Sequence, residues 1–192
     1  LGGEKYPHTE NEELAPISWY GEYKAESERG IANLKGMFHI VRVQRPLSCN
    51  PNARRSDFLR DAVRALLEGR EFFAINDQYI TPSSDLESAK AILAIMRSSE
   101  YGIWHVASPT ITTPYETIKL ALEKLERLGE KFSWALLREA HFNDFEAYWR
   151  AKRPQHTAFD TSKFVDCFGT DILHPLDQIL NEWARGMREI YI

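Results

Sequence analysis

Trp19-Tyr20-Gly21-Glu22-Tyr23-Lys24 sets a phenol and an ammonium four residues apart, at Tyr20 and Lys24. On a helix that spacing puts both side chains on one face. A cation beside a phenol favours the phenolate, so such a pair can do acid/base work. The same spacing also suits a half-exposed helical tyrosine resting on a lysine stem. The sequence around the helix has to choose between the two.

Upstream, residues 1–18 read as a loop, punctuated by Gly2-Gly3, Pro7 and Pro16. Glu10, Glu12 and Glu13 could offer metal ligands, but a solvated acidic loop is the expectation for such a run. The helix carrying Tyr20 and Lys24 is predicted over 17–34, ahead of Gly36. Downstream, Phe38-His39-Ile40-Val41-Arg42-Val43 is a β-branched strand, and 44–52, with Pro46, Cys49 and Pro51, is a loop. Loops at the C-terminal ends of strands are where ligands sit in α/β sheets. Arg54 and Arg55 follow that loop, either as forks for phosphate oxygens or as two solvated arginines.

A helix over 56–69 has Asp57, Asp61 and Glu68 on its polar side and ends at Gly69. Strand 71–75 leads into the polar loop Asn76-Asp77-Gln78-Tyr79-Ile80-Thr81-Pro82, a second candidate ligand loop. Ser84-Asp85-Leu86-Glu87 reads as a capping box for a helix reaching about residue 97. Gly102-Ile103-Trp104-His105-Val106-Ala107 is a third strand, with His105 read as a packed histidine without a visible partner. Thr113-Pro114-Tyr115-Glu116 opens the next helix, which Gly129 stops. Residues 132–152 are aromatic and amphipathic, as a core or partner-packing face would be, and Arg153-Pro154 breaks them. Short helices are expected from Asp160 and over 177–188. Helix and strand alternate, which is an α/β pattern, with three strands where a doubly wound sheet needs more.

Composition bounds the function. The chain has 192 residues, 43% hydrophobic and 27% charged, enough for one domain with a real core. A net charge of -4 with scattered basic residues argues against a nucleic-acid partner. No stretch approaches the ~20 apolar residues of a membrane span, and no leader-like segment is visible. Cys49 and Cys167 are far apart in sequence, as in a reducing, cytoplasmic setting, and the six histidines show no metal-ligand spacing. No G-x-G-x-x-G occurs, although a nicotinamide enzyme needs such a loop to seat the cofactor pyrophosphate on a helix N-terminus. The chain opens Leu1-Gly2-Gly3 without methionine and reads as the continuation of a longer sequence.

Read in order, several blocks resemble the dTDP-4-dehydrorhamnose reductase family, a nucleotide-sugar branch of the extended short-chain dehydrogenases. Gly3 to Glu10, Pro16 and Tyr20-Gly21-Glu22-Tyr23-Lys24 resemble the family's DGxxxPYxExDxxxPxNxYGxSK, which contains the Tyr-x-x-x-Lys signature of these dehydrogenases. Asn76-Asp77-Gln78 through Thr81-Pro82 resembles DDQxGSPT, 102–107 resembles GIYHLA, and 153–164 resembles RPxxSxLDTSKL. Residues 129–148 match least, and Arg45 beside Pro46 stands where the family carries a tryptophan.

The resemblance implies the C-terminal portion of an extended short-chain dehydrogenase: a Rossmann-like parallel sheet remnant plus a small α/β substrate-binding domain. Helix 17–35 and strand 38–43 would belong to the Rossmann-like part, about 44–152 mostly to the substrate-binding part, and 153–192 to tail helices. The N-terminal cofactor-binding half would lie outside these residues. The implied activity is NAD(P)H-dependent reduction or epimerisation of a nucleotide-linked 4-keto sugar. Tyr20 and Lys24 would be catalytic, and Tyr20, Lys24 and Arg42 would meet NADP or NAD. Gln44, Arg45, Arg54, Arg55, Gln78 and Arg153 would meet the sugar nucleotide. A missing N-terminal half or a homo-oligomer would be the partner. The alternative is a non-catalytic regulatory or sugar-nucleotide-binding relative of the same fold.

Overall fold

The structure, a computed structural model, describes residues 5–34, 37–48, 50 and 56–191. In chain order its elements are α1 (Trp19–Asn33), β1 (His39–Val43), β2 (Pro46–Leu47), α2 (Phe58–Leu67), β3 (Phe72–Ile75), β4 (Ser83–Ser84), α3 (Asp85–Arg97), β5 (Gly102–Val106), α4 (Pro114–Arg127), β6 (Leu137–Ala140), α5 (Ser162–Phe168) and α6 (Leu176–Tyr191). Among the described residues the three strand pairings are parallel: β1 with β5, β2 with β4, and β3 with β6. Parallel neighbours need long crossovers, and helices supply them. The fold is therefore α/β, as the alternation predicts.

Helices α1 to α4 each start where a side chain takes their orphan amides. Ser18 accepts from Gly21 N at 3.2 Å, and Thr113 Oγ1 accepts from Glu116 N at 3.1 Å with Pro114 at the first turn. Asp57, expected on the polar face of α2, is instead its N-cap and accepts from Leu59 N and Arg60 N. At Ser84 only the forward half of the expected capping box forms, because the Glu87 carboxylate meets His174 Nδ1 at 2.7 Å instead. Positive φ at Gly69 (71°) and Gly129 (106°) ends α2 and α4 in a conformation that suits glycine.

Two cores result. Leu59, Val63 and Leu66 of α2 meet Ile118 and Leu122 of α4 and Leu180 and Trp183 of α6. Burying each such side chain contributes on the order of 1.5–3 kcal/mol. Trp104 and Val106 of β5 meet Ile95 of α3 and Phe164 of α5 in the second.

Three readings need correction. β2, β4 and β6 add to the three expected strands. Leu137–Ala140 lies in the stretch read as one amphipathic segment; its two middle residues face solvent, so it lacks the alternation of a half-buried strand, and only the ladder to β3 reveals it. The acidic N-terminal loop is not uniformly solvated, because Glu10 is buried and accepts from His105 N at 3.0 Å. Among the described residues no cluster of side chains could hold a metal ion, and no helix is long and apolar enough to cross a membrane.

Candidate active site

Helix α1 buries only Ala25. Tyr20 is 73% exposed, and the Lys24 ammonium stands over its ring, 5.7 Å from the centroid. The expected shared face is therefore present. Both side chains line a cavity of about 530 Å³, walled by Leu14, Glu28, Arg42 and Phe159.

Within that wall runs an ionic chain that the sequence did not announce. Arg42, on β1, grips both carboxylate oxygens of Glu28, at 2.9 and 2.6 Å. Its remaining Nη1 donates to His105 Nε2 at 3.1 Å. That contact makes Nε2 the acceptor, so Nδ1 carries the proton and donates to the Asp160 carbonyl at 3.2 Å. Phe159 stacks on the imidazole, with centroids 4.1 Å apart. Burial pushes the His105 pKa down, Glu10 opposes that, and the Arg42 charge adds to it. His105 is a packed strand histidine as expected, but it has partners in three separate segments of the chain. The parallel register sets Arg42 directly beside His105, a neighbourhood no local pattern could reveal.

A second cavity, of about 630 Å³, shares Ser18, Tyr20, Val43 and Gln44 with the first. It is also lined by Arg45, Arg150, Lys152, Arg153 and Trp149. Arg45 donates to Gln78 Oε1 at 2.7 Å, and Gln78 Nε2 donates to the Pro154 carbonyl at 3.2 Å. The Arg45 pKa is pushed down to about 10 by burial and by the nearby Arg153 charge. Arg45 remains a cation at neutral pH, and an anion between the two guanidinium groups would relieve their repulsion. Arg153 itself rests over the Trp149 ring at 5.6 Å. The aromatic segment thus splits: Phe142 is buried, whereas Trp149 and the largely exposed Tyr148 line the cavity.

Gln44 joins the two ligand loops. Its Oε1 accepts from Thr81 N at 2.6 Å, and its Nε2 donates to the Thr157 carbonyl. The structure thus brings Tyr20, Lys24, Arg42, Gln44, Arg45, Gln78 and Arg153 around two contiguous cavities. It also commits Arg42, Gln44 and Gln78 to bonds within the fold. Arg54 and Arg55 lie outside the described residues.

The family model described as the RmlD substrate binding domain matches residues 2–184. The chain belongs to that family. It is 22% identical over 194 residues to the dTDP-4-dehydrorhamnose reductase of Escherichia coli (strain K12), covering 98% of this chain and 60% of that enzyme. A Shigella flexneri dTDP-4-dehydrorhamnose reductase is also 22% identical, over 96% of this chain and 58% of its own length. The chain thus spans about three-fifths of the curated relatives it matches. Among solved structures, a dTDP-4-dehydrorhamnose reductase from Clostridium acetobutylicum superposes with a TM-score of 0.81 at 23% identity, over 98% of this chain and 62% of that one. The Bacillus anthracis str. Ames reductase, solved in complex with NADP, gives 0.79 at 20% identity, over 95% of this chain and 61% of that one. At these identities the likeness establishes a shared Rossmann-like fold, which dTDP-glucose 4,6-dehydratase of the same organism also has (TM-score 0.75).

Proposed function

We propose that this chain supplies the proton-donating pair and the substrate-side walls of an NAD(P)H-dependent reductase or epimerase of a nucleotide-linked 4-keto sugar. The observation that carries the reading is the juxtaposition of two sites. Tyr20 and Lys24 open into one cavity, and the adjoining cavity, which Tyr20 also lines, is lined by Arg45, Arg153 and Trp149. A keto group placed at Tyr20 would leave the nucleotide end reaching toward the cations, where paired guanidinium groups suit a diphosphate.

The residues fit one end of a nicotinamide cofactor. The Lys24 ammonium makes no ion pair among the described residues and faces the cavity, so it is available to a ribose hydroxyl. The pyrophosphate end has no glycine-rich loop in these 192 residues, so we place that function in an N-terminal half outside them. When bound, the cofactor supplies a hydride to the carbonyl carbon. The Tyr20 hydroxyl gives its proton to the carbonyl oxygen, completing the alcohol, and Lys24 stabilises the phenolate left behind. Arg42 stands in the wall as a clamp, and Gln44 and Gln78 hold the loops that aim Arg45. In this reading 17–35 and 38–43 belong to the cofactor side, and about 44–152 mostly to the substrate side.

Titration of this chain with dTDP, followed by tryptophan fluorescence, tests the substrate side. Binding in the micromolar range is expected, weakened about tenfold or more by Arg153→Ala or Arg45→Ala, as for loss of a charge-assisted contact. Absence of binding at millimolar dTDP would refute it. In the enzyme completed by its cofactor half, Tyr20→Phe is expected to cost on the order of 10²-fold or more in turnover. Full turnover there would refute the role given to Tyr20, whereas dTDP binding with no reductase activity in the completed parent protein would favour a non-catalytic relative.

A further inference from the structure

Glu28 follows Lys24 by four residues on α1, the spacing at which a carboxylate and an ammonium meet on a helix surface. Both side chains line the same cavity as Tyr20. Among the described residues they nonetheless form no ion pair; Glu28 pairs with Arg42 across to β1 instead. Both Glu28 oxygens are used in that contact, and the two side chains are largely buried, at 9% and 18% exposure. Arg42 cannot easily swing away, because its third nitrogen is held by His105, whose ring is fixed by the Asp160 carbonyl and by Phe159.

We infer that the Arg42–Glu28 clamp is a charge-sequestering device: it keeps the Glu28 carboxylate off Lys24 and so leaves the ammonium over Tyr20. Arg42 and His105 are then positioning residues, acting through Glu28 and touching no reacting atom. The inference builds on the acid/base role proposed for Tyr20 and Lys24. A planar fork suits this task better than a lysine would, because it occupies both carboxylate oxygens at once. Without it, Glu28 has Lys24 as the cation at helical spacing on its own face. An ammonium drawn one turn along α1 toward Glu28 would leave the phenol without its cation.

The test reads the Lys24–Tyr20 contact directly in this chain, by nuclear Overhauser effects from the Lys24 side-chain methylenes to the Tyr20 ring. In Arg42→Met these are expected to weaken by up to about twofold, the population shift that an i, i+4 carboxylate–ammonium pair exerts. The double variant Arg42→Met/Glu28→Gln should restore them, because the competing charge is gone although the fork is still absent. A purely structural role for Arg42 predicts no such rescue. Glu28→Gln alone should leave the contact intact, and it serves where Arg42→Met does not fold. Unchanged effects in Arg42→Met, no rescue in the double variant, or a weakened contact in Glu28→Gln would each overturn the inference. Neither cofactor nor substrate is present, so failure of the reductase reading would register in the binding and turnover assays and not here.

Discussion

Replacing Gln44 by Met keeps the length of the side chain and removes both of its polar atoms. Gln44 is 7% exposed, and Thr81, which it receives, is fully buried. Its Oε1 takes the Thr81 amide at 2.6 Å, and its Nε2 gives to the Thr157 carbonyl. The Thr81 hydroxyl, 3.3 Å from the same oxygen, already accepts from Phe159 N at 3.0 Å and can rotate to another acceptor. Two backbone groups, one donor and one acceptor, therefore lose this partner on substitution. A buried polar group left without a partner costs about 1–3 kcal/mol; the Thr81 amide bears that cost in full, whereas Thr157 is half-buried and lines both cavities, so water can reach its carbonyl and the predicted loss is about 1–3 kcal/mol. Against a typical total of about 5–15 kcal/mol that is a large fraction. Equilibrium urea unfolding followed by far-UV circular dichroism measures it, with the midpoint falling and the slope unchanged. A Gln44→Met protein within about 0.5 kcal/mol of the parent would refute the reasoning, since surface-like substitutions give no more than that. Gln44 would then be free to serve as a substrate ligand first and a structural bridge second.

Acidification tests the buried histidine. Unfolded, His105 takes up a proton near its ordinary value of about 6.5; folded, burial holds the imidazole below that. Stability should therefore be complete above about pH 6.5 and fall as pH drops toward the folded value, by up to about 1.4 kcal/mol per pH unit per proton. His105→Asn should reduce that slope in urea midpoints between pH 7.5 and 5, leaving a residue from His156, also lowered chiefly by burial; an unaltered slope would contradict the assignment. Leu180→Ala, at a fully buried position where α6 packs on α4, is expected to cost about 2–5 kcal/mol in the same assay. Ser18→Ala removes the cap that takes Gly21 N and should cost about 0.5–2 kcal/mol, seen as faster amide exchange in the first turn of the Tyr20 helix.

Much of this protein was legible along the chain. Tyr20 and Lys24 sit on one helical face because 3.6 residues per turn puts them there, whatever the helix packs against. The Thr113 cap, the stops at Gly69 and Gly129, and the strands around Ile40, Ala74 and Trp104 are local signals of the same kind. Tertiary structure decided the rest. Arg42 meets His105 only because β1 lies parallel to β5 in one register, and it meets Glu28 across from α1. Gln44 reaches Thr81 and Thr157, residues 37 and 113 positions away, and so becomes a brace between loops. Glu10, part of an acidic run, is buried because an amide of β5 needs its oxygen. The physical reason is range. Helical periodicity, caps and turns act over a few residues and can be read from neighbours in sequence. The partner of a buried charge or amide depends on which strands align, and burial makes that partner obligatory without naming it in advance.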